Sequence, residues 1–414
     1  MNIGRLRYVA PAGAPIGALD LARWLATLMA DPSAVNTLCQ TVARRVGVKH
    51  CRATSTGRAA MTVVLRSLKR LQRGDRDEVI VPAYTCYSVA ASIVRAGLKP
   101  RIVDISAETL DFDWTHLEAA DCHRVLAIVA TNLYGIPNDM PRLVAFAKQR
   151  KLFLVDDAAQ AFGAAVGGRP SGTWGDVGVY SLDKGKNVSA IDGGLIVSNH
   201  DMVARTVDAD VRALPKPKTS EIAHTLIKLG AYATMLRPSL YWIPNAIPQL
   251  GLGRTVYDTS YVVEAYCRPL AALALVMLPR LDEFTAARRA NAAWLRARLE
   301  RMPGISLVQP PVGSEPVYLR FPILVDTPAL RDPLVQALNE SGIGATGSYP
   351  RSIADIHHLA SYSTDLNAPA SGSSVAARIV TLPTHPFVSK ADLQRTVDII
   401  SMMVRSHAGG GVVH

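Results

Sequence analysis

The sequence predicts an α/β protein, with a large domain built on a mostly parallel sheet and a smaller C-terminal α+β domain. Between residues 50 and 200, short apolar runs alternate with segments of helical periodicity, which is the pattern of a sheet wound with helices. After residue 315 this alternation resumes over a shorter length. Because 414 residues exceed what one compact core usually holds, we predict a division into residues 1–255 and 256–414.

Four apolar runs predict strands of the large sheet, and helical segments lie between them. The predicted strands cover residues 78–82, 100–104, 125–130 and 152–155, and the clearest helices cover 88–96 and 143–148. In sheets of this kind, ligands bind beyond the carboxyl ends of the strands. Polar residues follow these ends at Tyr84 and Thr85, at Thr131 and Asn132, and at Asp156 and Asp157. The sequence therefore predicts a ligand site at that edge of the sheet.

The second half begins with a segment that breaks this pattern. Residues 215–261 are rich in proline, aromatic residues and isolated glycines. The sequence leaves three alternatives open for this segment. It is a substrate lid or dimer arm, a segment that touches a membrane surface through residues 223–253, or a buried helix with a loop. The later pattern predicts a long helical stretch over about 262–302, strands over 317–324 and 378–382, and helices over 328–341 and 390–406.

Composition and charge limit the classes to which the chain can belong. The five cysteines are scattered and contain no CxxC pair, which argues against a disulfide framework or a zinc site and favours a reducing compartment. No uncharged apolar stretch reaches the length of a membrane span, and no signal-peptide pattern opens the sequence. The net charge of +11 is spread along the chain without a nucleic-acid motif. We expect a cytoplasmic protein with a solvated basic surface, no bound metal and no nucleic-acid partner.

The first of three motifs that carry chemistry is a run of small hydroxylated residues before a helix. Residues 54–56 are Thr-Ser-Thr, and Gly57, Arg58 and Ala59 then open a helical pattern. The free backbone N–H groups and the positive dipole end of a helix start make a ready phosphate site. Hydroxylated residues also cap helices for purely structural reasons. The motif therefore predicts a helix start, with phosphate binding and simple capping as alternative roles.

The second and third motifs supply an acid and an amine. Asp157 ends a predicted strand and is followed by small residues, which leave room for a flat ring beside its carboxylate; a helix N-cap is its alternative role. Lys186 follows Gly185 between two short predicted strands. Burial in such a setting lowers the pKa of an amine and lets it attack an aldehyde. A surface lysine is the alternative, since most lysines are exposed.

In this order the three motifs resemble those of the DegT/DnrJ sugar aminotransferases, which have the aspartate aminotransferase fold (fold type I). The resemblance covers almost the whole chain, with supporting motifs at residues 11–13, 45–50, 81–85, 132–135, 348–350 and 382–386. It implies that pyridoxal 5'-phosphate forms a Schiff base with Lys186, Lys184 being the rival amine, and that Asp157 contacts the ring nitrogen. It implies further cofactor contacts by Gly57, Arg58, Ala59 and Ser181 at the phosphate, Ala159 beneath the ring, Gln160 at the ring hydroxyl, and Cys86 and Asn187 beside them.

The same resemblance implies an enzyme that moves an amino group from an amino acid, with glutamate expected, to a keto sugar in glycan or secondary-metabolite biosynthesis. The sugar is usually nucleotide-linked, and Lys186 acts as general base and acid. A homodimer with its site at the subunit interface is also implied. The alternatives are a sugar dehydratase that uses the same cofactor and a non-catalytic regulatory or scaffolding homologue. Lys186 argues against the dehydratase, because dehydrating relatives are expected to lack this lysine.

Several positions near the expected site depart from the family pattern. Arg58 replaces a frequent threonine, so the phosphate contact rests either on backbone amides or on the guanidinium. Cys86 stands where an aromatic residue often stacks on the ring, and Tyr87 is the alternative ring contact. Asn132 replaces a frequent histidine. Residues 215–261 lack the family's recognisable contact to the neighbouring subunit, which leaves open whether the substrate is an ordinary sugar nucleotide.

Overall fold

The computed structural model of the chain describes residues 7–72, 74–247, 255–359 and 370–409. Its strands are β1 (His50–Thr54), β2 (Glu78–Pro82), β3 (Lys99–Val103), β4 (Val125–Thr131), β5 (Phe153–Asp157), β6 (Ala165–Val166), β7 (Arg169–Pro170), β8 (Val177–Ser181), β9 (Gly194–Ser198), β10 (Ile305–Leu307), β11 (Ser314–Glu315), β12 (Arg320–Val325) and β13 (Ile379–Pro383). Its helices are α1 (Ala18–Ala30), α2 (Ala34–Val46), α3 (Gly57–Leu71), α4 (Tyr87–Arg95), α5 (Trp114–Ala119), α6 (Met140–Arg150), α7 (Asp201–Arg212), α8 (Thr219–Met235), α9 (Trp242–Asn245), α10 (Arg268–Met277), α11 (Leu281–Leu299), α12 (Pro328–Glu340), α13 (Ala370–Arg378) and α14 (Lys390–Gly409).

The large sheet has the strand order β1-β9-β8-β5-β4-β2-β3. From β3 to β8 the neighbouring strands pair in parallel, and β9 is antiparallel to both β8 and β1. Every residue of β4, β8 and β9 is buried, as expected for a sheet that helices cover on both faces. The predicted α/β fold with a mostly parallel sheet is confirmed.

The strands predicted for this sheet lie within one or two residues of those observed. β2 has the predicted bounds, and β5 continues two residues beyond the predicted end, to Asp157. β4 and β5 pair so that Thr131 lies beside Asp157. The carboxyl ends of these parallel strands therefore meet at one edge of the sheet, where the sequence places its polar residues.

The helical stretch predicted over about 262–302 begins later than predicted and is divided at its middle. Residues 262–267 contain no helix, and α10 begins at Arg268, with Pro269 in its first turn. Proline is tolerated there because the first N–H groups of a helix have no intrahelical partner. Pro279 lies in a 3₁₀ turn that separates α10 from α11, since a proline inside a continuous helix would remove a backbone hydrogen bond.

The smaller sheet, β10-β12-β13, is antiparallel and packs against α12, and α14 shares its hydrophobic core. The smaller α+β unit at the C-terminal end is thereby confirmed. α11 connects its core with that of the large sheet: Leu281 and Phe284 near the helix start belong to the larger core, and Leu295 and Leu299 near its end belong to the smaller one. The division of the chain at residue 255 stays a prediction.

Within residues 215–261, α8 lies on the surface of the large unit. Only Leu229 and Ala233 of this helix are buried, and Ile227 is largely exposed. The buried-helix alternative therefore does not hold, whereas the lid, the dimer arm and the membrane contact stay predictions; residues 248–254 of this segment lie outside the described residues. None of the described helices combines the length and apolar character needed to cross a membrane.

Candidate active site

Lys186 lies in the loop between β8 and β9, where two cavities meet. The first cavity, of about 350 Å³, reaches from Lys186 to the start of α3. The second, of about 230 Å³, extends from Lys186 towards β12. The loop turns tightly, because the N–H of Lys186 donates to the carbonyl of Asp183 at 3.1 Å and Gly185 has a φ of +80°, a conformation that glycine adopts readily. The turn presents the amine of Lys186 to both cavities.

Lys184, the rival amine, is occupied by other partners. Its Nζ lies 3.4 Å from the carboxylate of Asp183 and 3.4 Å from the carbonyl of Ile191. Burial alone would lower the pKa of Lys184. The nearby carboxylates of Asp183 and Asp192 outweigh this effect, so the pKa is raised. The Nζ of Lys186, by contrast, forms no hydrogen bond or ion pair within the described ranges. Lys186 is therefore the better placed of the two amines to react.

Asp157 lies at the end of β5 and lines the first cavity with Lys186. Asp157 is only 8% exposed, and the N–H of Ala159 donates to its carboxylate at 3.1 Å. Burial raises the pKa of Asp157 to about 6, and the charge of Lys186 acts in the opposite direction. A buried carboxylate with one hydrogen bond is costly unless a cation or a further donor approaches it. The site is thus prepared for a cationic group beside Asp157.

Asp156, the preceding acid, has a structural role. Its carboxylate accepts hydrogen bonds from the side-chain amide of Asn132 at 2.8 Å and from the N–H groups of Gly172 at 2.6 Å and Trp174 at 3.1 Å. The same amide of Asn132 also donates to the carbonyl of Asp157 at 2.9 Å. Asn132, which departs from the family pattern, therefore joins the ends of β4 and β5 and does not line either cavity.

The start of α3 forms the far end of the first cavity, with Gly57 and Arg58 in its lining. The hydroxyl of Thr56 accepts a hydrogen bond from the N–H of Ala59 at 3.0 Å, so capping is present. The N–H groups of Gly57 and Arg58 belong to the open first turn, which has no intrahelical partner. A Cβ on Gly57 would lie 3.0 Å from the Cβ of Ser181, and glycine thus lets the helix start approach the end of β8. Capping is therefore present, and phosphate binding at this open first turn stays a prediction.

Tyr261 holds the guanidinium of Arg58 at this end of the cavity. The guanidinium carbon lies 4.7 Å from the centre of the Tyr261 ring, and that of Arg95 lies 5.4 Å from it. The Tyr261 hydroxyl is fixed by Thr62 at 2.6 Å and by Ser92 at 3.0 Å. Within the described ranges, Arg58 forms no ion pair. The sequence did not indicate Tyr261, because its contacts join α3, α4 and a distant loop.

Gln160, Tyr134 and Tyr349 line the second cavity. The side chain of Gln160 accepts from the N–H of Tyr134 at 2.9 Å and donates to the hydroxyl of Tyr349 at 2.9 Å. Tyr134 has a φ of +56°, which is unusual for a residue with a side chain. Gln160 therefore ties this strained backbone to Tyr349.

The remaining predicted residues lie at or behind the cavity walls. Cys86 lines both cavities and Ala159 lines the first. Tyr87, the alternative ring contact, is turned away, and the N–H of Arg351 donates to its hydroxyl at 2.9 Å. Ala59, Ser181 and Asn187 are buried outside the linings, and both polar atoms of the Asn187 side chain are without a hydrogen-bond partner in the described structure. The structure thus brings Gly57, Arg58, Cys86, Asp157, Ala159 and Lys186 to one cavity.

Known proteins match this chain along most of its length. Residues 27–224 and 269–401 match the model of the DegT/DnrJ/EryC1/StrS aminotransferase family. The UDP-N-acetyl-3-dehydro-alpha-D-glucosamine 3-aminotransferase of Acidithiobacillus ferrooxidans is 28% identical over 360 residues, which cover 87% of this chain and 85% of that protein. The GDP-perosamine synthase of Caulobacter vibrioides is 28% identical over 364 residues, which cover 86% of each chain.

Solved structures have the same fold. Helicobacter pylori PseC, an aminotransferase involved in the biosynthesis of pseudoaminic acid, superposes with a TM-score of 0.78 at 16% identity, covering 97% of this chain and 100% of that one. At this identity the likeness concerns the fold alone.

Proposed function

Since the chain belongs to the DegT/DnrJ/EryC1/StrS aminotransferase family, we propose that it uses pyridoxal phosphate to transfer an amino group from an amino acid to the keto group of a sugar. The resemblance inferred from the motifs is confirmed, and the chain is an aminotransferase of this family. One observation carries the proposal for the site. Lys186 lies where the two cavities meet, and the buried carboxylate of Asp157 lines the first of them.

The residues of the first cavity fit the three functional parts of pyridoxal phosphate. The amine of Lys186 suits the aldehyde, because a lysine in a cavity attacks carbonyl groups. The buried carboxylate of Asp157, whose pKa burial raises to about 6 against the opposing charge of Lys186, suits a protonated ring nitrogen. The open first turn of α3, with Arg58 beside it, suits a phosphate dianion.

When bound, the cofactor supplies an aldehyde that takes up the amino group and a ring that withdraws electrons from the reacting carbon. The protein residues hold the reacting groups in position and transfer their protons. Asp157 would keep a proton on the ring nitrogen, because a buried carboxylate favours a cation beside it. The Nζ of Lys186 takes the proton from the α-carbon of the amino acid, acting as general base, and later returns it as general acid. Gln160 bonds to Tyr134 and Tyr349 in the wall of the second cavity. We assign the space within this wall to the rest of the substrate.

We extend to this chain the substrate class in the names of its relatives, a keto sugar linked to a nucleotide. The net charge of +11 supports this extension, because a basic protein attracts a diphosphate. The same proposal includes glutamate as amino donor, a homodimeric state, a cytoplasmic location and contact of residues 223–253 with a membrane surface.

Absorbance spectroscopy of the purified protein tests the proposed function. With added pyridoxal phosphate we expect a visible band that borohydride abolishes, and glutamate should convert this band to the shorter-wavelength amine form of the cofactor. A band that glutamate fails to bleach would favour the dehydratase. If no such band forms, the non-catalytic homologue is favoured instead.

A further inference from the structure

Arg320 is an arginine without an acidic partner in the second cavity, close to Lys186. It is the first residue of β12, is partly exposed, and lines this cavity together with Lys186. Within the described ranges no carboxylate forms an ion pair with Arg320. An arginine that lacks a carboxylate at a protected cavity wall has unused capacity to bind an anion.

The guanidinium of Arg320 is held in place by hydroxyl groups. Its Nη1 donates to the hydroxyl of Thr346 at 2.9 Å. That hydroxyl lies 3.0 Å from the hydroxyl of Thr381 and accepts from the N–H of Ser348 at 3.2 Å. One nitrogen is therefore fixed, and the other N–H groups of the planar fork remain for a ligand. A fork fixed in this way binds a carboxylate through two parallel hydrogen bonds with little loss of side-chain entropy.

The charges of the two cavities decide where an anionic substrate can lie. The first cavity is lined by the carboxylates of Asp157, Asp183, Asp192 and Asp258 and by the cations Arg58 and Lys186. Among the described residues, the second is lined by the cations Lys184, Lys186 and Arg320 and by the acid Asp183, which is ion-paired with Lys184. Acids outnumber cations in the first cavity and cations outnumber acids in the second, so the second is the more favourable place for a carboxylate.

We infer that Arg320 binds the carboxylate of the amino-acid donor, an inference that rests on the proposed function. An amino acid carries its amine and its α-carboxylate on the same carbon. If the amine reaches the region of Lys186, the carboxylate must enter one of the two adjoining cavities, and the charges favour the second. Arg320 lies there with a guanidinium that Thr346 already orients.

The test uses the enzyme loaded with cofactor and the variants Arg320→Gln and Arg320→Lys. Arg298→Gln is the matched control, because Arg298 is exposed on α11 and stacks on Trp294 away from both cavities. The apparent Kd of glutamate comes from the rate of the spectral change at increasing glutamate, and the Kd of 2-oxoglutarate comes from titration of the amine form. UDP is the probe for a diphosphate site.

We expect Arg320→Gln to raise the Kd of glutamate and of 2-oxoglutarate about 10- to 100-fold, as for loss of charge-assisted hydrogen bonds. Arg320→Lys should lie between Arg320→Gln and wild type, and the Kd values of UDP and of pyridoxal phosphate should stay unchanged. An unchanged Kd of glutamate in both variants, or weaker binding of UDP instead, overturns the inference. Failure of the wild-type enzyme to react with glutamate or any other amino acid would defeat the proposed function itself, so the two failures are distinguishable.

Discussion

Arg288 binds the backbone of Lys186 and lines neither of the two cavities. Its Nη2 donates to the carbonyls of Gly13 at 2.7 Å and Lys186 at 3.4 Å, and its Nη1 donates to the carbonyl of Asn187 at 3.4 Å. Arg288 is fully buried, and burial lowers its pKa to about 10, so it remains charged at neutral pH. Helix α11 therefore fixes the reactive loop through main-chain carbonyls, with no acidic partner for Arg288 among the described residues.

Replacement of Arg288 should loosen the loop that carries Lys186. We expect Arg288→Met to lower the free energy of unfolding by about 3 kcal/mol, because buried carbonyls lose their donor, and to slow the attachment of cofactor to Lys186. The control is Arg289→Met, whose side chain is partly exposed and donates to the carbonyls of Glu315 and Pro316 at the surface. Urea unfolding and the rate of appearance of the visible band measure both effects. Equal losses in the two variants would contradict the assigned role of Arg288.

The sequence predicts the strands of the large sheet because each strand is a short apolar run that can be recognised without knowing its neighbours in space. It does not predict the burial of Arg288, since a pair of arginines on a helix resembles a solvated face and only contacts with residues far away in the chain reveal otherwise. For the same reason, the sequence does not predict that Arg320 and Tyr261 lie at the site. Asp156 and Asp157 are distinguished only by the sheet: successive side chains of a strand point to opposite faces, so one acid binds Gly172 and the other faces the cavity.

Lys186 and Lys184 should differ completely in their reaction with the cofactor. Lys186→Ala is expected to abolish both the band that borohydride fixes and transamination, because no other amine lines both the first and the second cavity in the described structure. Lys184→Ala should retain the band, since Lys184 is engaged by Asp183 and Ile191. Mass spectrometry after borohydride treatment identifies the modified lysine. Labelling of Lys184 in the wild-type protein would show that the assignment is displaced by two residues.

Asp157 should make the stability of the cofactor-free protein depend on pH. Burial raises its pKa from 3.8 to about 6, so the folded protein retains this proton at a pH where the unfolded chain has lost it. Stability therefore falls as pH rises between these values. Asp157→Asn removes this loss and should stabilise the cofactor-free protein by about 3 kcal/mol above pH 6, at about 1.4 kcal/mol per pKa unit, with little effect near pH 4. Urea titrations at both pH values measure the difference.

The same variant should have the opposite effect once cofactor is added. Asparagine cannot neutralise a protonated ring nitrogen, so Asp157→Asn should bind pyridoxal phosphate more weakly than wild type and gain less stability from it. If the variant has the same affinity for the cofactor as wild type, Asp157 does not face the ring nitrogen. A pH-independent stability difference would contradict the burial argument separately.

Gly194 should be intolerant of a side chain because the start of α3 lies against it. A Cβ at this position would lie 2.3 Å from the carbonyl oxygen of Thr56 and 2.9 Å from the Cβ of Ala60. Gly194→Ala should therefore displace the helix start, cost about 1–3 kcal/mol of stability and weaken phosphate binding. Gly230→Ala is the control, because nothing lies within 4 Å of its Cβ and alanine favours the helix. Thermal unfolding compares the two, and equal midpoints would refute the predicted clash.

Arg58 should discriminate between cofactor molecules with and without phosphate. Its guanidinium stacks on Tyr261 at the start of α3 and lines the first cavity, whereas Arg95 stacks on the same ring without lining that cavity. We expect Arg58→Ala to raise the Kd of pyridoxal phosphate about 10- to 100-fold, the effect of losing a charge-assisted contact, and to leave the Kd of pyridoxal unchanged. Arg95→Ala should change neither value by more than about threefold, as befits a second cation that only supports the ring.

Titration of the visible band with each compound measures these constants without any turnover. The ratio of the two Kd values isolates the phosphate, since the aldehyde and the ring are common to both compounds. Tyr261→Phe keeps the ring but loses its bonds to Thr62 and Ser92, and it should lie between Arg58→Ala and wild type because the platform beneath the guanidinium becomes mobile. An equal rise in the Kd of both compounds for Arg58→Ala would mean that Arg58 shapes the cavity and does not contact the phosphate. Backbone amides of α3 would then carry that contact alone.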